Sequence, residues 1–126
     1  MANGSVFIVN TQMHTVMMWH PGQSSGFIVA GTNGTTGTTS TTFRFPTSVV
    51  ADQYGNIWVV DNNNHRVQFF CRTGTNGTIG RTVAGGSLGT GATQLYYPVG
   101  LALDSSLNLY VADTSNHRIQ RYQRLS

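Results

Sequence analysis

Lysine and glutamate are absent from this chain of 126 residues, and its charge comes from seven arginines and four aspartates. Charged residues make up only 9% of the sequence, so Gly, Ser, Thr and Asn must form most of the wetted surface. Of the residues that favour helices, Lys and Glu are missing and Ala and Leu are sparse. Val, Ile, Phe, Tyr, Trp and Thr are plentiful and suit the pleated, half-buried surface of a strand. The expected class is all-β. The aspartates are also the only side-chain carboxylates, which leaves little equipment for general acid–base chemistry.

A single cysteine, Cys71, excludes an internal disulfide and leaves the compartment open. No apolar run approaches the ~20 residues that cross a bilayer, so no membrane partner is expected. The opening MANGSVFIVN lacks the basic-then-apolar pattern of a signal peptide. Three glycosylation sequons start at Asn3, Asn33 and Asn76, but with ten Asn and abundant Ser and Thr chance gives roughly two. They incline the reading only slightly toward an extracellular setting. A net charge of +3 tolerates an acidic partner without demanding one. The length suits one modest domain.

What is present is a repeat. A shift of 52 residues puts Pro46 on Pro98, Asp52 on Asp104 and Asn56 on Asn108. It also puts Asp61 on Asp113, Asn64 on Asn116, His65 on His117, Arg66 on Arg118 and Gln68 on Gln120. Apolar positions match in kind: Ile57 with Leu109, Trp58 with Tyr110, Val67 with Ile119. All four aspartates belong to the matched set. A degraded third copy stands at the front, where Val6 to Asn10 align with Ile57 to Asp61, His14 with His65 and Val16 with Val67. FIVAG (Phe27 to Gly31) matches RTVAG (Arg81 to Gly85).

Each copy reads as short strands of β-branched and aromatic residues separated by Gly, Asn and Asp. TSVVAD and VGLALD are first strands, NIWVVD and NLYVAD second, HRVQFF and HRIQRY third, GFIVAG and RTVAGG fourth. Short turns make neighbours antiparallel. Four such strands per repeat make one propeller blade. The expected blades cover about 3–31 (degenerate), about 46–86 and about 98–124, or two and a half to three blades in all.

The NHR that follows D-x-x, the Asn-apolar-aromatic-Val-x-Asp strand and the Pro-x-x-apolar start resemble NHL repeats. That resemblance implies a β-propeller, commonly of about six blades. Leu107 departs from the pattern where Gly55 supplies the usual turn glycine.

Repetition argues that the motif residues are architectural, because a single active site does not need one copy per blade. Asp61 and Asp113 end the second strand and are expected to form Asx-turns with amides two residues on. Asn64 and Asn116 are expected in left-handed geometry. Arg66 and Arg118 offer donors to carbonyls or to an aspartate. Asp52, Asn56, Asp104 and Asn108 belong to the same structural set. His14, His65 and His117 are equivalent, but blades splay outward and a metal needs its ligands about 2 Å away, so neither metal nor cofactor is expected. Cys71 has no matched base and reads as an ordinary buried or edge thiol. The segment GTNGTTGTTSTT (Gly31 to Thr42) has no Lys for a phosphate loop and reads as a flexible connection. Met17, Met18 and Trp19 read as core or strand end, and the aromatics of FRFP and LYYP as filler between blades.

Strands in the pattern b-c-d, a-b-c-d, a-b-c make an open arc, whose end faces would be large apolar patches. The expectation is a homo-oligomer, with a dimer closing a six-bladed ring favoured, or an excerpt of a longer propeller. Function is expected to be non-catalytic binding or scaffolding of an unspecified protein ligand. One alternative is RNA binding, since some NHL propellers bind RNA on a basic face; Arg44, Arg72, Arg81, Arg121 and Arg124 would carry it. Another is a piece of an enzyme like the amidating lyases, whose similar fold uses a metal with His, Arg and Tyr.

Overall fold

Among the described residues ten strands build three sheets, each strand antiparallel to its neighbour in the sheet. The computed structural model describes residues 4–72 and 79–123. The first sheet holds β1 (Val6–Asn10), β2 (Thr15–Trp19) and β3 (Phe27–Gly31). The second holds β4 (Pro46–Ala51), β5 (Ile57–Asp61), β6 (Arg66–Phe70) and β7 (Arg81–Gly85). The third holds β8 (Gly100–Leu103), β9 (Leu109–Asp113) and β10 (Arg118–Tyr122). Within each sheet the strand order follows the chain order, because turns this short allow only hairpins. These are propeller blades: the middle one has all four strands, and its neighbours have three each among the described residues. The first sheet begins with the second-strand sequence of the repeat, and the third ends with the third-strand sequence.

Side chains alternate across a sheet, and the middle blade uses both faces. Ile57, Val59 and Phe70 pack with Val16, Ala30 and Phe43 toward the first sheet. Trp58, Val60, Val67 and Ala84 pack with Leu95, Leu109 and Val111 toward the third. Every residue of β5 is therefore buried. In β10, covered on one side only, half-buried and exposed residues alternate. The two layers are plugged at corresponding places by Phe43 and Leu95, both buried, from the segments that enter the second and third blades. The FRFP and LYYP segments thus fill space between blades through Phe43 and Leu95, while Tyr96 and Tyr97 stay exposed.

The fourth strands end on Gly31 and Gly85, and here glycine is required. Both have positive φ, +86° and +71°. A Cβ would meet the carbonyl oxygen of His14 at 2.3 Å or of His65 at 2.2 Å, and the plugs Phe43 or Leu95 at 2.9 Å. Gly22 has the same hand of backbone, φ +81°, with open space around the missing Cβ. The pair separates strain from collision. Gly22→Ala is expected to cost about 1–2 kcal/mol, the strain of left-handed geometry. Gly85→Ala adds a backbone clash and should cost about 3 kcal/mol or more. Denaturant midpoints of both variants check this; equal losses would remove the packing argument.

Candidate functional site

The chain leaves β5 at Asp61 and re-enters the sheet at Arg66 through a single 3-10 turn, Asn62–Asn64. Thr11–Met13 and Thr114–Asn116 make the same turn in the flanking blades. The residue that closes each turn is histidine in left-handed geometry: His14 at φ 60°, His65 at 53° and His117 at 55°. Asn64 and Asn116 were the expected left-handed residues, but they sit inside the turns. Their side chains bond away from them: Asn64 Nδ2 donates to Asp61 Oδ2 at 2.8 Å and to the Gly37 carbonyl at 2.7 Å. Asn116 does the same with Asp113 and Gly89.

Asp61 and Asp113 do not form Asx-turns, because no amide of their own turn reaches the carboxylate. Asp61 instead accepts from the Arg44 backbone N–H at 2.7 Å and from Arg66 Nε at 2.8 Å. Asp113 accepts from the Tyr96 N–H at 2.7 Å and from Arg118 Nε at 2.8 Å. The Asx geometry occurs at the other end of the blade. Asp52 Oδ1 accepts from the amides of Tyr54 and Asn56, and Oδ2 accepts from Asn56 Nδ2. Asp104 repeats this with Ser106 and Asn108 and gains the Tyr110 hydroxyl at 3.1 Å. Those donors, the Asn108 amide foremost, hold the Asp104 carboxyl below its usual range. The turn needs positive φ at its end, which Gly55 supplies at 87° and Leu107 adopts at 64°.

Arg66 has more than one acceptor. Besides Asp61, it donates to the carbonyls of Thr38, Thr39 and Thr42 at 2.9–3.1 Å. Arg118 donates to those of Thr90, Gly91 and Gln94 at 2.8–2.9 Å. The threonine-rich segment expected to be flexible is therefore pinned by a guanidinium. Every acceptor that Arg66 uses in it is main chain, while Thr32, Thr39 and Thr42 also bond within the segment through their hydroxyls. Asp61 is fully buried, and burial pushes its pKa up against the Arg44 amide, Asn64 and Arg66. All three partners can only donate, so the group serves as a carboxylate.

Histidine ties each blade to the next. His14 Nδ1 accepts the Phe45 N–H at 3.1 Å, and His65 Nδ1 accepts the Tyr97 N–H at 3.0 Å. The rings stack edge-on at 4.5 and 4.4 Å. An accepting Nδ1 fixes the neutral tautomer with its proton on Nε2. Burial lowers the His65 pKa, with Asp113 and Asp61 opposing more weakly. His117 is exposed. Among the described residues no group of three His, Cys, Asp or Glu side chains could share a metal ion. Of the two settings expected for Cys71, buried or edge, the structure gives an exposed thiol just past the end of β6.

The arginines proposed for RNA do not share a face. Arg44 stands at the Asp61 end of the middle blade. Arg72, whose N–H donates to Asn56 Oδ1, and Arg81, opposite Phe69, stand at the other end. Arg121 lies on the outer face of the third sheet, its Nε donating to the Tyr110 hydroxyl at 3.2 Å. Arg124 lies outside the described residues, as do Asn3 and Asn76, while Asn33 is exposed. Sequence reasoning missed one feature: the clefts between blades, lined by non-repeated residues such as Tyr54, Arg81 and Tyr122. The available signal was mismatch between aligned copies, Phe70 against Tyr122 and Phe27 against Arg81.

Two predictions follow from this wiring. Asp61→Ala leaves Arg66 buried without its carboxylate and should cost about 3–5 kcal/mol. Asp113→Ala should cost less, because the Arg118 side chain is 29% exposed against 9% for Arg66 and water can replace the partner. Denaturant titrations of the two variants compare them directly. The second concerns pH. With the folded-state pKa of His65 below the usual 6.5, the unfolded chain takes up the proton first as pH falls. Its contribution is complete above about pH 6.5 and is lost as pH falls through that value toward the lower folded-state pKa. His65→Asn should therefore show a shallower loss of stability than the parent between about pH 7.5 and 5; identical slopes would contradict the assignment.

The NHL repeat model matches residues 43–70 and 95–122, the two stretches that carry the clamp. No curated protein matches the sequence. Among solved structures, an auxiliary nutrient binding protein from Bacteroides thetaiotaomicron is similar with a TM-score of 0.73 at 17% identity, over 91% of this chain and 33% of that one. Its counterpart from Bacteroides ovatus gives 0.72 at 16%, with 91% and 33% covered. A catalytically inactive virginiamycin B lyase from Staphylococcus aureus, solved with quinupristin, gives 0.56 at 14%, over 99% of this chain and 39% of that one. The chain thus spans about a third of the length of the structures it matches first, and the likeness is one of fold. Two NHL repeats thus stand on consecutive blades of a β-propeller arc, each built around the same aspartate–arginine clamp.

Proposed function

We propose that the chain is a non-enzymatic binding and scaffolding module for a protein ligand, and that two copies complete one ring. The observation that carries the second half is a comparison of equivalent positions. Ile57, Val59 and Val67 are 3%, 0% and 0% exposed in the middle blade. Their counterparts Val6 and Ile8 on the first sheet are 53% and 44% exposed, and Ile119 on the third is 65% exposed. What buries the middle set is a blade on each side. The same surfaces at the ends of the arc call for the same covering, and burial of each such side chain is worth about 1.5–3 kcal/mol. A head-to-tail contact would set the first sheet of one copy on the third sheet of the other, and the rotation closes after two copies if each spans about half a ring.

The binding reading is supported by what the charged residues do. All four aspartates are held in turns or clamps, so none stands ready as a general base. A rigid ring leaves its loops to vary, which suits recognition. The separation of Arg44, Arg72, Arg81 and Arg121 gives no continuous basic track for RNA. The solution mass tests ring closure. A species near twice 13.6 kDa, converted to monomer by Ile8→Asp, is the expected result. A monodisperse monomer of the parent chain would refute it.

A further inference from the structure

The repeat itself distinguishes architecture from something more particular. Where the copies agree, as at Asp61 and Asp113, the residue serves the blade. Where aligned positions differ in chemistry, the difference needs another reason. The two clefts between adjacent blades allow this comparison, because the repeat relates their positions.

The cleft between the first and middle blades has a volume of about 230 Å3 and is lined by Phe7, Met18, Ile28, Ile57 and Phe70 among others. The cleft between the middle and third blades has about 360 Å3. At its matched positions Phe7 becomes Trp58, Met18 becomes Phe69 and Phe70 becomes Tyr122, while Arg81 stands where the first sheet has Phe27. Two features here work against the fold, and a third is not needed by it. The Tyr122 hydroxyl is buried with no hydrogen-bond partner among the described residues. Leu107, which replaces the turn glycine Gly55, takes a left-handed backbone at the cleft wall. Arg81 has no carboxylate partner among the described residues. The neighbouring cleft is lined mostly by apolar side chains with Arg72 beside them, and a cleft that needed only to be filled would repeat that set.

The wall has a directional order. Trp58 and Phe69 lie 4.9 Å apart between ring centroids, and the Arg81 guanidinium sits 5.5 Å over Phe69. The sequence is aromatic, aromatic, cation. Asp52 also lines the cleft, but both its oxygens already accept hydrogen bonds from Tyr54 and Asn56. The side opposite carries Leu107 and Leu109, so a flat apolar body would be held between faces. We propose that this cleft binds a small planar aromatic carboxylate, its ring system against Trp58 and Phe69 and its carboxylate on Arg81. A cation already stacked on an aromatic face is pre-oriented for a planar anion, and a few polar groups in a mostly apolar pocket are the usual means of fixing a ligand's orientation.

The cleft lies between two blades of one chain, so the test does not depend on ring closure. The full-length chain is titrated with 2-naphthoate and, separately, with the neutral 2-naphthalenemethanol, following backbone amide shifts and tryptophan fluorescence. The expected result is saturable binding of the naphthoate, with shifts centred on Tyr54, Arg81 and Leu107, and about tenfold weaker binding of the neutral analogue. R81Q, an exposed substitution that should not disturb folding, is expected to weaken naphthoate by about the same factor. R72Q, at the arginine that lines the other cleft, should leave it unchanged. No saturable binding at millimolar naphthoate overturns the proposal. So does an unaltered affinity in R81Q, a loss in R72Q as large as that in R81Q, or shifts centred on Phe7, Met18 and Ile28.

Discussion

A carboxylate with no exposure to water needs hydrogen-bond donors from the protein itself, and Asp61 and Asp113 meet that need by recruiting three separate parts of the chain. One donor is the arginine that opens the next strand, one is the asparagine of the turn, and one is a backbone amide from the segment that enters the blade. Removing a partner from such a group is costly, since the charge remains buried. The clamp therefore fixes the hairpin and the entering segment together. The arginine carries the connection further, onto the carbonyls of the preceding loop. The plugs Phe43 and Leu95 lie in the same entering segments, so apolar packing between blades and the polar clamp reinforce each other.

A second constraint is that a propeller blade is stable in proportion to how many of its faces are covered. β5 is buried throughout because it has a sheet on either side, and no alternation of polar and apolar residues is visible in its sequence, IWVVD. β10, RIQRY, alternates in burial instead, with Ile119 and Arg121 exposed and Arg118, Gln120 and Tyr122 half-buried. The substitutions along the outward face of the third sheet follow the same logic. Val60 and Phe69 of the middle blade correspond to Ala112 and Arg121, and Arg121 lies 6.0 Å from the Tyr110 ring in place of an aromatic pair. That face is smaller and more polar than its inner equivalent, yet Ile119 still stands out on it.

Much of this could be read directly from the chain. The strands, their order and the grouping of Asp, Asn, His and Arg are legible because each is local and each is written twice. What misled was chemistry whose partner is distant. An aspartate at the end of a strand has an Asx-turn as its best local option, and Asp52 and Asp104 take it. Asp61 and Asp113 do not, because partners 17 residues upstream outcompete the local amide. Asparagine is the ordinary left-handed residue, but histidine takes that position here because its ring must reach the amide of the following blade. The threonine-rich segment looked loose since nothing in its composition reveals a guanidinium from 24–28 residues further on. The inter-blade cleft was invisible for a related reason: its walls come from five strands and turns spread from Asp52 to Gln123.

The dependence of the clamp on carbonyl oxygens has a consequence for how such chains can diversify. Arg66 grips Thr38, Thr39 and Thr42 by atoms that every amino acid possesses, as Arg118 grips Thr90, Gly91 and Gln94 in the shorter equivalent. Drift in these stretches is invisible to the arginine so long as the main-chain path survives. New specificities can accordingly be written on the rim while the hub stays unedited, and the loops become a tolerant place for grafted sequence.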